Sequence, residues 1–320
     1  ISVENLEKRF NLEAGFFAPF GRFVHAVRGI SFSIGKNESY GLVGESGCGK
    51  TTTARLLVRM YEWDRGSIRY GEDTDVAALS GPALKAYREK VRYIFQDPAR
   101  SLNPRMTVYE VLVSGYRHSS HFPGEKKARE EAARILMETG LSADDLEKRP
   151  SEFSGGQRQR ISIARGLLMK PELLICDEVV SALDVSIQGQ ILNLLLDIRE
   201  KRDLSFLFIA HDLKVACYFC DRIGVMYRGE LMEEGPVENL YRDARHPYTR
   251  LLFSSAGGRE APVREGAGIP AEAPPGEGAC PFAPRCTLAE ERCLSGHPEI
   301  REIGPGRRVR CFLADPGLPA

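Results

Sequence analysis

The stretch GESGCGKT at residues 44–51 constrains the fold of this 320-residue chain more than any other feature. It follows a hydrophobic segment of strand type, residues 39–43, and precedes a run typical of a helix, TTARLLVRM. Glycine, four residues, glycine, lysine and threonine form the P-loop pattern, in which backbone N–H groups turn inward toward a phosphate and the next helix adds its positive N terminus. The sequence therefore predicts a strand–loop–helix unit that binds a nucleotide phosphate.

Each residue of this loop has an expected part in nucleotide binding. Lys50 is expected to reach the β- and γ-phosphates, and the Thr51 hydroxyl is expected to bind Mg²⁺. A glycine-rich turn with a lysine by chance is the alternative, and the strand and helix on either side of the loop disfavour it. The residues expected to contact the nucleotide are Gly44, Glu45, Ser46, Gly47, Cys48, Gly49, Lys50, Thr51 and Thr52.

A second candidate site lies at the end of a hydrophobic segment, residues 173–176, which runs directly into Asp177 and Glu178. Ligands of parallel sheets collect at the carboxyl ends of the strands, so an acidic pair is well placed there. Asp177 is expected to hold Mg²⁺ through water, and Glu178 to orient or deprotonate the attacking water. The alternative is an acid that only caps the strand, and the intact P-loop disfavours this alternative.

Segments of strand and helix type alternate along residues 1–256, with short polar turns between them. This alternation predicts an α/β domain with a mainly parallel sheet, and the P-loop motif indicates that this domain is a P-loop NTPase core. Charged helical segments such as residues 125–139 predict an inserted helical subdomain at about 103–160. Residues 257–279, rich in Gly, Pro, Ala and Glu, predict a linker before a short cysteine-bearing extension at 280–320. Strands are predicted at residues 39–43, 91–95, 173–176, 206–210 and 222–227.

Composition narrows the possible functions. The chain has 44 Lys and Arg residues and 44 Asp and Glu residues, so its formal net charge is zero. A balanced charge gives no long-range attraction to nucleic acid or to anionic lipid, and any polyanion must be held by a local site. No run approaches the roughly 20 apolar residues that span a bilayer, and the N terminus is too charged for a signal peptide. We therefore expect a cytoplasmic chain that serves a membrane only through other subunits.

The sequence FSGGQRQRISIARGLL, residues 153–168, closely resembles the signature of the ATP-binding-cassette (ABC) ATPases. In that family the signature closes over ATP bound to a partner subunit, so that two nucleotides are sandwiched in a dimer interface. Because these residues open a helix, their N–H groups form a second anion site like that of the P-loop. The residues implied to contact the partner's ATP are Ser154, Gly155, Gly156 and Gln157.

Further motifs of the ABC family occur in the expected order along residues 1–256. Gln96 matches the Q-loop, Asp184 in SALD matches the D-loop, and His211 matches the switch histidine. The resemblance implies that Gln96 senses Mg²⁺ and that His211 contacts the γ-phosphate during hydrolysis. An aromatic ring upstream of the P-loop stacks on adenine in this family, and Phe20 and Phe23 are both candidates, as packing residues or as the stacking ring. The magnesium set implied in this way is Thr51, Gln96 and Asp177, and the catalytic set is Glu178 and His211.

Three additional stretches resemble the ATPase subunits of oligopeptide, dipeptide and nickel importers. They are QDPARSLNPRMTV at 96–108, HPYTRLL at 246–252 and CPFAPRC at 280–286. This resemblance implies ATP-driven peptide uptake at the cytoplasmic face of the cell membrane. The implied partners are a second, similar ABC ATPase, two transmembrane permease subunits and a separate solute-binding protein, and no nucleic acid.

Other functions remain open from the sequence alone. An importer of nickel or of an oligosaccharide would use the same ATPase motifs. A cassette ATPase of DNA maintenance is the rival class, but it would carry a longer insertion between Lys50 and Ser154 and a basic surface for the duplex. The neutral charge of this chain argues against that class.

The last part of the chain contains four cysteines, Cys280, Cys286, Cys293 and Cys311. Four thiolates can hold Zn²⁺ or an iron–sulfur cluster. Zinc sites usually show cysteine pairs two to four residues apart, and this extension has none. Similar tails in peptide-importer ATPases carry a 4Fe–4S cluster, so the resemblance favours that cofactor, with Zn²⁺ or unligated thiols as alternatives.

Overall fold

The computed structural model describes residues 1–11, 23–255 and 278–314. Phe20 and most of the predicted linker lie outside the described residues. The strands are β1 (Ser2–Asn11), β2 (Phe23–Ser33), β3 (Ser39–Val43), β4 (Arg65–Tyr70), β5 (Thr74–Asp75), β6 (Val91–Ile94), β7 (Leu173–Asp177), β8 (Ser205–Ala210), β9 (Arg222–Tyr227), β10 (Glu230–Pro236), β11 (Arg301–Gly304) and β12 (Arg307–Val309). The α-helices are α1 (Lys50–Leu57), α2 (Gly81–Lys90), α3 (Pro98–Ser101), α4 (Val108–Tyr116), α5 (Glu125–Glu138), α6 (Gly155–Leu167), α7 (Val185–Arg202), α8 (Leu213–Phe219), α9 (Val237–Asp243), α10 (Pro247–Ser255) and α11 (Glu291–Ser295). Short 3₁₀ helices span Val76–Ala78, Ala143–Glu147, Pro150–Glu152 and Ala283–Arg285.

The five strands predicted from hydrophobic runs are present as β3, β6, β7, β8 and β9. Strands β3, β7 and β8 are buried at every position. A strand that is covered on both faces needs a continuous apolar run rather than an alternating one. Such runs are visible in the sequence, so these strands could be predicted from it. The prediction of an α/β fold is therefore confirmed.

The helices follow the pattern of one apolar face. In α5, the buried residues Ala128, Ala132, Ile135 and Leu136 recur at helical spacing, while the charged residues between them face outward. This helix confirms the prediction made for residues 125–139. Among the described residues, no helix combines the length and the apolar character that crossing a bilayer requires.

The chain divides into two compact units. The first contains the described residues of Ile1–Ser33, Tyr40–Glu72 and Ala210–Ala320, and the second contains Ile34–Ser39 and Asp73–Ile209. The described residues of the cysteine-bearing extension thus belong to the first unit. The predicted boundaries at 256 and 280 stay predictions.

In the first unit, β1 pairs antiparallel with both β2 and β4. Strand β3, which leads into the P-loop, runs parallel to β9. Strand β9 pairs antiparallel with β10, β10 pairs antiparallel with β12, and β12 pairs antiparallel with β11. The extension therefore adds two strands to the sheet that carries the P-loop.

In the second unit, β7 lies between β6 and β8 and runs parallel to both. Parallel strands place their carboxyl ends at one edge, where functional residues gather. Helices α4, α5 and α6 pack against one another in the same unit. This unit thus contains the end of β7 and the start of α6, two of the segments that the sequence predicts to be functional.

The extension is anchored in the first unit by a buried carboxylate. The Glu234 side chain is fully buried and accepts hydrogen bonds from Arg222, at 2.6 Å, and from Arg308 of β12. Arg308 also donates to the carbonyl oxygen of Ser31 at 2.7 Å. A buried charge is tolerated only when it is paired, so Arg308 fixes the extension to this sheet.

Candidate functional site

The loop between β3 and α1 has the backbone geometry that the P-loop pattern predicts. Gly44 and Gly49 have φ angles of 149° and 110°, a region that favours glycine. A Cβ atom at Gly44 would overlap the carbonyl oxygen of Met226, and one at Gly49 would overlap that of Ala26. Gly49 is also the N-cap residue of α1, so no side chain competes there for the N–H groups of the first turn.

Lys50 is buried, with 4% of its surface exposed. Its Nζ donates to the carbonyl oxygens of Gly44, at 2.7 Å, and Glu45, at 3.0 Å, and lies 3.7 Å from the Sγ of Cys48. All three of these partners are uncharged groups of the loop itself. A buried cation whose partners are all neutral favours an anionic ligand, so the loop is chemically suited to a phosphate.

The other predicted contacts surround Lys50. Ser46 and Gly47 are exposed at the tip of the loop, and Thr51 and Thr52 are half-buried in the first turn of α1. Cys48 is buried, and that burial raises the pKa of its thiol. The thiol is therefore protonated at neutral pH and a weak nucleophile.

Glu45 has two partners that the sequence did not reveal. Its backbone N–H donates to the Tyr248 hydroxyl at 3.0 Å, and its carboxylate binds the guanidinium of Arg285. The partners lie 203 and 240 residues away along the chain. No local pattern connects residues at such a separation, and the motif CPFAPRC, which contains Arg285, was the one available indication.

Two further predicted residues of the first unit are exposed. His211 follows β8 and precedes Asp212, whose side chain caps α8 by accepting the N–H of Lys214. Phe23 begins β2, is 66% exposed and pairs with Asn11. An exposed ring is available for stacking, and its role at adenine stays a prediction.

In the second unit, β7 delivers Asp177 at its last position. Asp177 is 2% exposed, and the hydroxyl of Tyr93 on β6 donates to its Oδ2. Tyr93 lies opposite Ile175 in the parallel register of β6 and β7, so the phenol reaches the end of the neighbouring strand. Sequence reasoning missed Tyr93 because its role depends on that register.

Glu178 follows Asp177 and leaves the strand with an unusual backbone. Its φ is 48°, the left-handed region that non-glycine residues rarely adopt and that is often found at functional positions. Its N–H donates to the carbonyl oxygen of Ile209 at 3.1 Å, and its carbonyl accepts the Ser181 hydroxyl at 2.9 Å. The amide of Gln96 donates to its carboxylate at 2.6 Å. The structure thus brings two predicted residues, Gln96 and Glu178, into direct contact.

The signature residues form the N terminus of α6. Ser154 is the N-cap residue, and its Oγ accepts the N–H of Gln157 at 3.3 Å while the Gln157 side chain accepts the N–H of Ser154 at 2.9 Å. This reciprocal capping leaves the Ser154 O–H as a donor for an incoming ligand. A Cβ at Gly156 would collide with the Ile187 side chain, so the glycine allows α7 to pack closely.

Asp184 is the N-cap residue of α7 and is exposed. The next residue, Val185, has 84% of its surface exposed, which is unusual for a branched apolar side chain. The D-loop and the signature thus each contribute exposed residues in the second unit. The P-loop and His211 belong to the first unit, and Gln96, Ser154, Asp177, Glu178 and Asp184 belong to the second.

The four cysteines of the extension line one small cavity in the first unit, together with His246 and Phe282. The backbone N–H of Cys280 donates to the carbonyl oxygen of Cys293 at 3.0 Å, which fixes these two segments to each other. Burial raises the pKa of Cys280 to about 11 and that of Cys286 to about 12, and the neighbouring thiols add to both shifts. Within the described part of the chain, no three His, Cys, Asp or Glu side chains are arranged around a single metal position.

Comparison with known protein families finds two family models that match this chain. Residues 27–181 match the family model described as ABC transporter. Residues 232–293 match the model described as the oligopeptide/dipeptide transporter, C-terminal region. The second match begins in β10 and includes Cys280, Cys286 and Cys293.

Individual proteins are similar to this chain over most of its length. The oligopeptide transport ATP-binding protein AppF of Bacillus subtilis is 41% identical over 323 residues, which cover 98% of this chain and 97% of AppF. YkfD of the same organism is 43% identical over 310 residues, which cover 94% of this chain and 93% of YkfD. A solved structure, the dimeric post-hydrolysis state of the ATP-binding cassette MJ0796 bound to ADP and Pi, aligns with a TM-score of 0.63 and 25% identity, over 74% of this chain and 98% of that chain.

Proposed function

Because the chain belongs to the ATP-binding-cassette ATPases, and among them to the oligopeptide and dipeptide transporter family, we propose that it hydrolyses ATP to power the import of oligopeptides or dipeptides. Lys50 is the observation that carries this proposal. Its buried ammonium, held by the carbonyl groups of Gly44 and Glu45, is suited to the β- and γ-phosphates. ATP and Mg²⁺ are the cofactors that an ATPase of this family requires.

Hydrolysis is assigned to the acidic end of β7. Glu178 is the proposed base that orients or deprotonates the attacking water, and Gln96 holds its carboxylate in place. Asp177 offers a carboxylate oxygen, the ligand type that Mg²⁺ prefers. Thr51 and Gln96 complete the magnesium set that the family resemblance implies. When bound, Mg²⁺ would neutralise charge on the phosphates, and His211 is proposed to contact the γ-phosphate.

A second ATPase subunit is needed to complete each nucleotide site. The signature residues at the start of α6 are the proposed contact with the partner's ATP, and the exposed Ser154 O–H and α6 N terminus support this role. Val185, exposed beside Asp184, supports a partner surface at the D-loop. The dimeric state of the similar cassette MJ0796 agrees with this proposal.

The working complex is proposed to lie at the cytoplasmic face of the cell membrane. Translocation itself is assigned to other subunits, as the family resemblance implies. The proposed partners are two transmembrane permeases, a distinct second ATPase and a separate solute-binding protein. ATP binding would join the two ATPases, and hydrolysis would release them and so drive the conformational change.

The cysteine-lined cavity is the proposed site of a 4Fe–4S cluster. The four thiols border one cavity, which supports a shared site for the four cysteine ligands that such a cluster uses. A single Zn²⁺ held by the same thiolates at about 2.3 Å is the alternative. Burial holds Cys280 and Cys286 protonated at neutral pH, so ligation would need the positive charge of a metal to displace those protons.

The cluster proposal has a direct spectroscopic test. Protein purified without oxygen should show a broad absorption band in the visible range, and Cys286→Ser should weaken it. Zn²⁺ has no such band. A colourless protein that contains stoichiometric zinc would therefore indicate a zinc site instead of a cluster. A colourless protein without metal would leave four thiols and reject both.

The function is tested by hydrolysis in a reconstituted complex. The chain is purified with its membrane partners, placed in lipid vesicles and assayed for MgATP hydrolysis with the solute-binding protein loaded with peptide, nickel or an oligosaccharide. Peptide is expected to stimulate hydrolysis, and Lys50→Ala to abolish it. If only nickel or only an oligosaccharide stimulated hydrolysis, peptide would be wrong as the substrate, but the role of the chain in ATP hydrolysis would still hold. The isolated chain is expected to bind MgATP and hydrolyse it slowly, because it supplies only half of each site.

A further inference from the structure

The P-loop of this chain is bound by a side chain of the cysteine-bearing extension. Arg285 Nη1 donates to Glu45 Oε2 at 2.8 Å, and Arg285 Nη2 donates to Glu45 Oε1 at 2.8 Å. This bidentate geometry is the most specific pairing that an arginine makes with a carboxylate. Arg285 ends the 3₁₀ helix Ala283–Arg285, directly before Cys286, and both partners lie in the first unit.

The guanidinium of Arg285 is itself held by aromatic rings. It lies 5.7 Å from the ring centroids of both Tyr227 and Phe282, within the range of cation–π attraction. Tyr248 contacts both of these rings, with centroid distances of 4.7 Å and 5.2 Å. The same Tyr248 accepts the backbone N–H of Glu45 through its hydroxyl. Glu45 is therefore held at its main chain by Tyr248 and at its carboxylate by Arg285. Both of these partners contact the rings of Tyr227 and Phe282.

This arrangement matters because Glu45 is an acid in a loop suited to a polyanion. An unpaired carboxylate beside the loop would repel a triphosphate, and Coulomb repulsion acts over several ångströms at a protein surface. Arg285 neutralises that charge and fixes the side chain. The pair is partly exposed, with 30% of the Arg285 side chain and 41% of the Glu45 side chain accessible, so its contribution to folding stability is small. Its main effect is expected on the nucleotide.

We propose that Arg285 is a positioning residue of the nucleotide site, through which the cysteine-bearing extension holds the P-loop ready for ATP. Arg285 contacts Glu45 and acts on ATP only through it. The inference rests on the proposed function, since it assumes that the P-loop binds MgATP. It assigns the extension a role in nucleotide affinity that is separate from any metal in its cavity.

The test is a titration of the full chain with a fluorescent ATP analogue in the presence of Mg²⁺. Arg285→Met is expected to weaken binding about twofold to fivefold, the change that loss of a partly exposed ion pair typically gives. Arg285→Lys keeps the charge without the bidentate geometry, so its affinity should fall between those of the wild type and Arg285→Met. The matched control is Arg292→Met, because Arg292 of the same extension pairs with Glu290 at 2.8 Å and should leave binding unchanged.

A second arm separates positioning from a general loss of structure. Arg285→Met is combined with Glu45→Gln, which removes the carboxylate that Arg285 neutralises. If Arg285 acts through Glu45, its replacement should change affinity less in the Glu45→Gln background than in the wild type. An equal loss in both backgrounds, or no loss with Arg285→Met, would overturn the inference.

The same titration tells failure of this inference apart from failure of the proposed function. Lys50→Ala is included for that purpose. If the wild type binds and Lys50→Ala does not, the nucleotide site stands, and the Arg285 variants alone decide the inference. If the wild type itself does not bind MgATP, the proposed function fails and this inference fails with it.

Discussion

Gln96 and Glu178 occupy equivalent positions beyond the ends of two neighbouring parallel strands. Ile94 pairs with Cys176 in the register of β6 and β7, and each of the two functional residues lies two positions further along its own strand. Their side chains therefore meet, and the Gln96 amide donates to the Glu178 carboxylate at 2.6 Å. An amide partner orients the carboxylate by a hydrogen bond and brings no opposite charge, which suits the proposed role of Glu178 as general base.

Glu178→Gln is expected to remove most ATP hydrolysis while leaving MgATP binding intact. Glutamine keeps the size of the side chain but cannot accept a proton, and loss of a general base typically costs about 10²–10⁴-fold in rate. The measurement is the turnover of the reconstituted complex beside a binding titration. Glu172→Gln, on an exposed residue paired with Lys90, is the matched control and should keep full turnover. Full turnover in Glu178→Gln would show that another group is the base.

Tyr93→Phe is expected to destabilise the second unit and to disturb Asp177. The substitution keeps the ring and removes the hydroxyl that donates to a carboxylate that is only 2% exposed. Removing a donor from a buried charged group costs about 1–3 kcal/mol. Urea denaturation measures this loss, with Tyr241→Phe as the control because Tyr241 is 63% exposed. Equal midpoints for the two variants would mean that the phenol does not support Asp177.

The sequence was informative wherever a local pattern determines local structure. This holds for three segments whose local structure depends on consecutive residues, and the structure of each was predicted correctly. They are the P-loop glycines, the apolar run of β7 and the signature at the start of α6. The strands β11 and β12 of the extension were not predicted. Their arginine-rich segments have no apolar alternation, and they are strands because β10 offers its edge and Glu234 pairs with Arg308.

Functional contacts between distant segments could not be predicted in the same way. Tyr93 and Asp177 are 84 residues apart, and Glu45 and Arg285 are 240 apart. Each pair depends on strand register or on the docking of the extension, which no motif specifies. The four cysteines are intermediate, because their crowding in the sequence suggested a common site but their spacing did not determine the geometry of the cavity.

Arg308→Met is expected to loosen the extension from the first unit. Glu234 is fully buried and would keep only Arg222 as an arginine partner, and breaking a buried ion pair by removing one member is strongly destabilising. We expect a loss of about 2–4 kcal/mol in the free energy of unfolding, less than for an unpaired charge because Arg222 remains. Limited proteolysis should then cleave within residues 278–314 earlier than in the wild type. Arg292→Met, an exposed pair in the same segment, is the control, and equal cleavage of both variants would contradict the anchoring role.

His246 is expected to make the folding stability of the first unit sensitive to acid. It is buried beside the cysteine-lined cavity, and burial, aided by the charge of Arg310, lowers its pKa to about 3. Its Nδ1 accepts the N–H of Tyr248 at 3.0 Å, which requires the neutral ring. The unfolded chain takes up this proton near pH 6.5 and the folded chain does not, so folding stability falls as the pH drops from about 6.5 toward 3, by at most about 1.4 kcal/mol per pH unit.

His246→Asn is expected to flatten this acid dependence. The asparagine oxygen can accept the N–H of Tyr248, but it binds no proton in this range. Nearby Glu233 acts in the opposite sense, because burial raises its pKa, and the difference between wild type and variant cancels its effect. Urea denaturation between pH 7 and pH 4 measures both proteins, with His118→Asn at an exposed histidine as the control. Parallel pH profiles for wild type and His246→Asn would show that a different group causes the loss of stability in acid.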